Sequence, residues 1–256
     1  MKVIILAGGM GTRLAEETEI KPKPMVEIGG YPIIWHIMMH YSYYGFTHFV
    51  IALGYKGEII KKYILDYCSF NSNLTVNLDN GDTKIHGTNR PDWTIDLVDT
   101  GISTLTGGRI KRLAPYIGNE TFMLTYGDGV SNVNLHKLLE FHRSHGKYVT
   151  LTAVRPVAHL DYLDLDGNCV LRFSENFRSN DAWINGGFFV LEPEVFNYIG
   201  SNDTPWEKKP LESLEKEGQL KAYRHTSFWQ CMDTLRDKQL LENLWQEGNA
   251  PWKIWK

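Results

Sequence analysis

Apolar residues in this chain come in short dense runs, most of them closed by glycine, and the runs alternate with stretches of helical spacing. Val3 to Leu6 is the first run. It ends in Ala7-Gly8-Gly9 and reads as a buried strand feeding a glycine loop. Pro32 to Tyr44 carries apolar residues at helical spacing, with Pro32 suited to the first turn and Gly45 to the C-terminal cap. Phe49 to Leu53 predicts a second buried strand, stopped by Gly54. Glu58 to Tyr67 predicts a helix with Ile59, Ile60, Tyr63 and Ile64 on its apolar face, and Leu74 to Leu78 predicts a third strand. This β-loop-α-β-α-β order implies a parallel sheet covered by helices on both faces.

The pattern then loosens. Residues 79–95 are polar and turn-rich and are expected to form a long excursion or irregular hairpin. Arg109 to Tyr116 suggests a short helix. Phe122 to Tyr126 suggests a strand ending on Gly127-Asp128-Gly129, and Asn134 to His145 a helix with Asn134 as N-cap. Tyr148 to Val154 is a further strand. From about 155 to 191 strands and turns dominate, with Asp166-Gly167-Asn168 as a tight turn. Segments near 207–217 and 234–247 read as amphipathic helices. The expected fold is a three-layer α/β/α arrangement around a mainly parallel, Rossmann-like sheet with small β and loop insertions.

Composition narrows the function classes. The 256 residues are 43% apolar and 22% charged, which is ordinary globular composition. With 27 basic and 30 acidic residues the formal charge is −3, so nothing favours nucleic acid as a partner. Cys68, Cys169 and Cys231 are far apart and odd in number, which fits reduced thiols and a cytoplasmic location. No run approaches the ~18 apolar residues of a membrane span.

The sharpest chemical feature is Leu6-Ala7-Gly8-Gly9-Met10-Gly11-Thr12-Arg13-Leu14, followed by Lys21-Pro22-Lys23-Pro24-Met25. A glycine loop after a first strand exposes backbone N–H groups that can wrap a polyphosphate, and Arg13 and Lys23 add fixed cations. A Walker loop is absent. A dinucleotide fingerprint fails because Leu14 stands where its third glycine or alanine belongs.

The run from Gly8 to Met25 resembles the signature of the nucleoside-diphosphate-sugar pyrophosphorylases, the sugar-1-phosphate nucleotidyltransferases. Within them, several motifs are similar to the cytidylyltransferases that act on glucose 1-phosphate: Leu97-Val98-Asp99-Thr100-Gly101, Thr106-Gly107-Gly108-Arg109, Thr125-Tyr126-Gly127-Asp128-Gly129, Ile184-Asn185-Gly186-Gly187-Phe188-Phe189 and Met232-Asp233-Thr234-Leu235-Arg236-Asp237. The resemblance implies a single nucleotidyltransferase domain over 1–256, with the nucleotide on about 1–130 and the sugar phosphate and oligomer contacts on about 131–256. It implies CTP and a sugar 1-phosphate as substrates, a CDP-sugar and pyrophosphate as products, Mg²⁺ as cofactor and a homo-oligomer, a hexamer or another trimer-based assembly.

The same resemblance implies roles. Arg13 would hold the β- and γ-phosphates, Lys23 would face the α-phosphate, and Asp128 and Asp233 would hold the metal. The nucleotide would lie along Leu6, Ala7, Gly8, Gly9, Met10, Gly11, Thr12, Arg13 and Lys23, with Thr104, Arg109 and Gly127 around base and ribose. Glu175, Asn176, Asn185 and Gly186 would take the sugar phosphate. A guanidinium at Arg109 set against N3 and O2 of cytosine would reject bases that carry an N3 hydrogen. The chain departs from the family at Glu175-Asn176-Phe177, where Glu-Lys-Pro is usual, which leaves a different phosphorylated acceptor open as an alternative. A non-catalytic nucleotide-binding protein is a further alternative, opposed by the joint presence of Arg13, Lys23, Asp128 and Asp233.

Other features read more plainly. Asp233 precedes a helical run and could cap it. His36 and His40 lack the rest of a zinc motif and are expected to be packing residues. Glu207 to Glu217 reads as a solvated helix face, and Trp252 and Trp255 are expected to dock on the chain's own fold or a neighbouring subunit.

Overall fold

The computed structural model describes residues 1–87, 91–155, 162–166, 169–174 and 183–255, without the side chains of Arg13, Ala15 and residues 162–174. Its centre is a mixed sheet. Strand β1 (Lys2–Leu6) pairs in parallel with β2 (His48–Leu53), and β2 with β3 (Thr94–Asp99). On its other edge β1 pairs in parallel with β4 (Phe122–Tyr126). The chain therefore winds away from β1 in one direction and returns on its opposite side. That reversal is a topological switch point, and open α/β sheets bind ligands at the carboxyl ends of the strands there.

Beyond β4 lies one antiparallel line, β5 (Ile184–Asn185) and β6 (Phe189–Leu191), both paired with β7 (Val149–Val154). The register shifts between the two halves: Thr150 faces Val190, whereas Ala153 faces Asn185. The kink falls at Gly186-Gly187-Phe188, where Gly187 has φ 73° and Phe188 φ 47°. A left-handed backbone on a bulky residue is strained and occurs mainly beside functional sites. Strand β8 (Leu220–His225) completes the sheet alongside β7.

Strand alternation builds two cores. Val3, Ile5, Phe49, Ile51 and Met123 face one side, where they meet helices α1 (Ile33–Tyr43), α2 (Gly57–Phe70), α3 (Leu135–His145) and α4 (Leu235–Gln246). Ile4, Leu6, Val50, Ala52 and Leu124 face the other, against the short helices Thr106–Arg112, Ala114–Ile117 and Lys209–Lys216. This is the expected three-layer fold. Trp252 and Trp255 are buried against the first core, as expected. No described helix is long and apolar enough to cross a membrane.

One strand assignment needs correction. Asn73–Val76 does form a strand, but it pairs with Thr83–His86 in an exposed hairpin outside the main sheet. The third parallel strand is β3, whose first two residues fall within the 79–95 segment expected to be an excursion. Its half-buried Ile95, Leu97 and Val98 are interleaved with Asp96 and Asp99, as suits the edge of the sheet, so it lacks the fully apolar run of a central parallel strand. The tight turn expected at 166–168 lies partly outside the described residues.

Asn134 caps α3 by accepting from Lys137 N–H at 3.0 Å. His36 is a satisfied packing residue: Nε2 donates to Ile28 O at 2.9 Å and Nδ1 accepts from Trp252 Nε1 at 3.3 Å. His40 packs against Tyr44 and Phe188. Burial lowers both histidines to about 4. In the unfolded chain they take up protons near pH ~6.5, so below that pH the unfolded state binds more protons than the folded one. Stability is therefore full above that value and falls as pH drops towards 4. Urea midpoints of the wild-type chain should decline between pH 7 and pH 5, and the decline should be smaller in His40→Met. Equal declines in the two would exclude His40 as a source.

Candidate active site

A cleft of about 350 Å³ opens at the switch point. Leu6, Ala7, Gly8, Gly9, Gly11 and Thr12 form its floor, and Lys23, Thr104, Thr106, Arg109, Tyr126, Gly127 and Asp128 form its walls. Gly127 N–H donates to Leu6 O at 3.0 Å, tying the ends of β1 and β4 together. Gly11 has φ 64°, a conformation that favours glycine, and its carbonyl accepts from Thr18 Oγ1 at 3.1 Å. Among the described residues the N–H groups of Gly9, Met10 and Gly11 make no hydrogen bond, so the loop offers donors to a bound anion. Met10 is exposed and does not line the cleft, so any contribution it makes is through its backbone.

Arg109 is the pin beneath this loop. Its NH1 donates to Leu53 O, Thr100 Oγ1 and Gly101 O at 2.9, 2.6 and 2.8 Å. Its NH2 donates to Gly8 O and Ile102 O at 2.9 and 3.2 Å. A Cβ on Gly8 would come within 2.3 Å of this guanidinium, and one on Gly54 within 2.5 Å. Those two glycines admit the arginine between β1 and β2. To read a base edge, as the sequence suggested, Arg109 has to exchange some of these carbonyls for the base.

A second cleft, of about 370 Å³, adjoins the first and shares Tyr126 and Asp128 with it. Its lining includes Asn185, Gly186, Phe188, Glu207, Trp229, Cys231 and Asp233. At the junction the Lys23 ammonium donates to Asp128 Oδ2 at 2.8 Å and to Asp233 Oδ1. Lys23 is 7% exposed. Burial alone would lower its pKa, but the two carboxylates outweigh burial and the ammonium is held above its usual range. Burial, with Asp233 and Asp128 nearby, pushes the Cys231 thiol up to about 12, so it is a neutral wall rather than a nucleophile.

The capping alternative for Asp233 is removed by its neighbours. Thr234 is the N-cap of α4, accepting from Asp237 N–H, while Asp237 Oδ2 accepts from Thr234 N–H at 2.8 Å. With this capping box in place the Asp233 carboxylate is not the cap, and it accepts from Lys23 Nζ and from Cys231 Sγ.

The comparisons with known proteins agree with this fold. A family model described as nucleotidyl transferase matches residues 2–230. The chain belongs to the nucleotidyl transferase family. It is 49% identical to the glucose-1-phosphate cytidylyltransferase of Salmonella typhi and 44% identical to the probable glucose-1-phosphate cytidylyltransferase of Bacillus subtilis, covering both chains fully in each case. Among solved structures, HddC from Yersinia pseudotuberculosis complexed with GMP-PN shares the fold, with a TM-score of 0.69, 24% identity and coverage of 95% of this chain and 99% of that one.

Of the residues expected from the sequence, this nucleotidyl transferase brings Leu6 to Gly9, Gly11, Thr12, Lys23, Thr104, Arg109, Gly127 and Asp128 to the first cleft and Asn185, Gly186 and Asp233 to the second. The side chain of Arg13 and residues Glu175 and Asn176 lie outside the described residues. The charged run 207–217 is solvated as expected, with Glu207, Glu212, Glu215 and Glu217 exposed, and Glu207 has a further place in the structure. The helix covers only Lys209–Lys216, and Glu207 precedes it and lines the second cleft. Its signal was Trp206, an aromatic residue out of register with the helix and 0% exposed.

Two glycine substitutions test the loop. Gly8→Ala drives a methyl into the buried guanidinium and should cost about 1–3 kcal/mol of stability, as overpacking does. A Cβ on Gly9 meets nothing within 4 Å, so Gly9→Ala should leave the urea midpoint close to wild type. Equal losses in the two would contradict the pinned arrangement.

Proposed function

We propose that the chain transfers a cytidylyl group from CTP to a sugar 1-phosphate, with α-D-glucose 1-phosphate as the acceptor. The single observation that carries this is the Lys23 ammonium shared by Asp128 and Asp233 at the junction of two clefts. The full-length relatives named as glucose-1-phosphate cytidylyltransferases support the choice of substrates. In this reading residues of about 1–130 hold the nucleotide, and about 131–256 supply most of the acceptor cleft.

The reaction needs no general base. A phosphate monoester is largely dianionic at neutral pH, with a second pKa near ~6. Its oxygen bonds to the α-phosphorus of CTP, the bond from that phosphorus to the bridging oxygen breaks, and pyrophosphate leaves with the electron pair. The obstacle is that one anion attacks another, so catalysis is positioning plus positive charge. The Gly8–Thr12 backbone receives the triphosphate, Arg13 takes the β- and γ-phosphates, and Lys23 offsets charge at the α-phosphate. Thr104, Arg109 and Gly127 border the base and ribose, and Asn185 and Gly186 the sugar.

Family members generally use a divalent metal ion. The donor set here fits Mg²⁺: two carboxylates converge on one cation, and Mg²⁺ commonly takes one or two carboxylates with substrate oxygens. Bound by Asp128 and Asp233, it would neutralise phosphate oxygens as a Lewis acid. The free thiols Cys68 and Cys231 fit a reducing, cytoplasmic setting. Homo-oligomer formation is supported by the exposed hairpin region, where Phe70, Leu74, Val76, Leu78 and Ile85 are solvent-facing.

Pyrophosphate release from CTP should require a sugar 1-phosphate, be fastest with glucose 1-phosphate in an acceptor panel, and fall sharply when UTP or GTP replaces CTP. Lys23→Ala, Asp128→Asn and Asp233→Asn should each lower kcat about 100-fold or more. The proposal fails if no sugar phosphate elicits release, or if the three variants stay near wild-type rates.

A further inference from the structure

Glu207 is an exposed carboxylate held in a fixed position in the lining of the second cleft. The segment that carries it is locked to the helix of Arg109. Leu105 N–H donates to Asn202 O at 2.9 Å, and Gly108 N–H to Thr204 O at 3.2 Å. The approach is so close that a Cβ on Gly107 would lie 2.6 Å from Thr204 O. Trp206, buried beside Phe189, donates its backbone N–H to Thr106 Oγ1 at 2.9 Å. The next residue is Glu207, and both of its oxygens are engaged. Oε1 accepts from Tyr126 OH at 2.8 Å, and Oε2 accepts from Thr106 Oγ1 at 2.7 Å.

The chain of donors continues. Tyr126 OH accepts from Asn185 Nδ2 at 3.3 Å, and Asn185 Oδ1 accepts from Gly187 N–H at 2.9 Å. Burial, then the Glu207 charge, pushes the Tyr126 phenol above its usual range, so it remains a donor. The directions of these hydrogen bonds are thereby set. Each Glu207 oxygen keeps a second lone pair, and Glu207 lines the acceptor cleft. Among the described residues no ion pair reaches it. A carboxylate without a cation repels a phosphate and accepts from a hydroxyl. The second cleft is therefore lined by two different groups: the Asp128 and Asp233 carboxylates that Lys23 joins, and the Glu207 carboxylate, a hydroxyl acceptor with no cation of its own among the described residues.

We propose that Glu207 determines acceptor specificity by receiving a ring hydroxyl of the sugar, which orients the phosphate towards the junction. This rests on the assignment of the second cleft to the sugar phosphate. Tyr126 and Thr106 act as positioning residues that hold the carboxylate, and through Thr106 the nucleotide and acceptor clefts share one rigid wall.

The test is steady-state kinetics of the full chain with glucose 1-phosphate and its monodeoxy analogues, for wild type and Glu207→Gln. A hydrogen bond to a charged group predicts a rise of about tenfold or more in KM for glucose 1-phosphate. The KM for CTP and kcat should change less than twofold. For one deoxy analogue, the one lacking the contacted hydroxyl, variant and wild type should have the same KM. An unchanged KM for glucose 1-phosphate in an active variant overturns the proposal, and so does an equal penalty for every analogue. Tyr126→Phe, which removes the donor to Glu207 Oε1, should raise the same KM. Wild-type chain inactive with all sugar phosphates would instead sink the parent reading, and this assignment with it.

Discussion

One ammonium held between two carboxylates organises this molecule. Lys23 reaches Asp128 across 105 residues of sequence and Asp233 across 210. Without the lysine, two half-buried carboxylates would face each other at the junction of the clefts, and each would oppose ionisation of the other. With it, the junction is neutralised in part and remains attractive to further cations. In the proposed reaction two anionic reagents meet there, and an electrostatic device of this kind is what their chemistry demands. Among the described residues that line the clefts no cysteine or histidine is an activated nucleophile or base, which fits the same demand. Cys231 is held protonated, and His36 and His40 are neutral packing groups away from the cleft walls.

The fold supplies the geometry that the ammonium needs. Strands β1 and β4 end side by side because the chain reverses direction around β1, and the Gly127–Leu6 hydrogen bond fixes their ends. Asp128 follows directly. Asp233 comes from the far end of the chain, released from capping duty by Thr234 and Asp237. Arg109 stitches the loop, β2 and the 100–102 turn together through backbone carbonyls. Such a loop is preorganised, so little ordering remains to be done when an anion binds.

Much of this was legible in the sequence, for identifiable reasons. A glycine loop after a first strand has one common use, and the proline-flanked Lys23 narrowed it further. The helices were readable where caps were explicit, as at Asn134. The failures also have physical causes. Strand β3 sits at the sheet edge and carries Asp96 and Asp99, so its apolar pattern is diluted. The Leu74 run looked like a sheet strand because local pattern does not reveal which partner a strand will find. Glu207 was hidden by the charged residues that follow it, since only the tertiary packing of Trp206 sets it against Tyr126 and Thr106. Arg109 was recognised as important, yet nothing local indicated that Leu53, Thr100 and Gly101 would occupy its nitrogens. Asp233 could not be separated from a helix cap until the Thr234–Asp237 pair was seen.

The most direct measurement is a crystal structure of the chain with a non-hydrolysable CTP analogue, Mg²⁺ and glucose 1-phosphate. The triphosphate should lie along Gly8–Thr12, with its α-phosphorus facing Lys23 and the acceptor phosphate entering from the Asp233 side. A nucleotide seated away from this loop, or an acceptor bound with its phosphate against Glu207, would contradict the central role given to the shared ammonium.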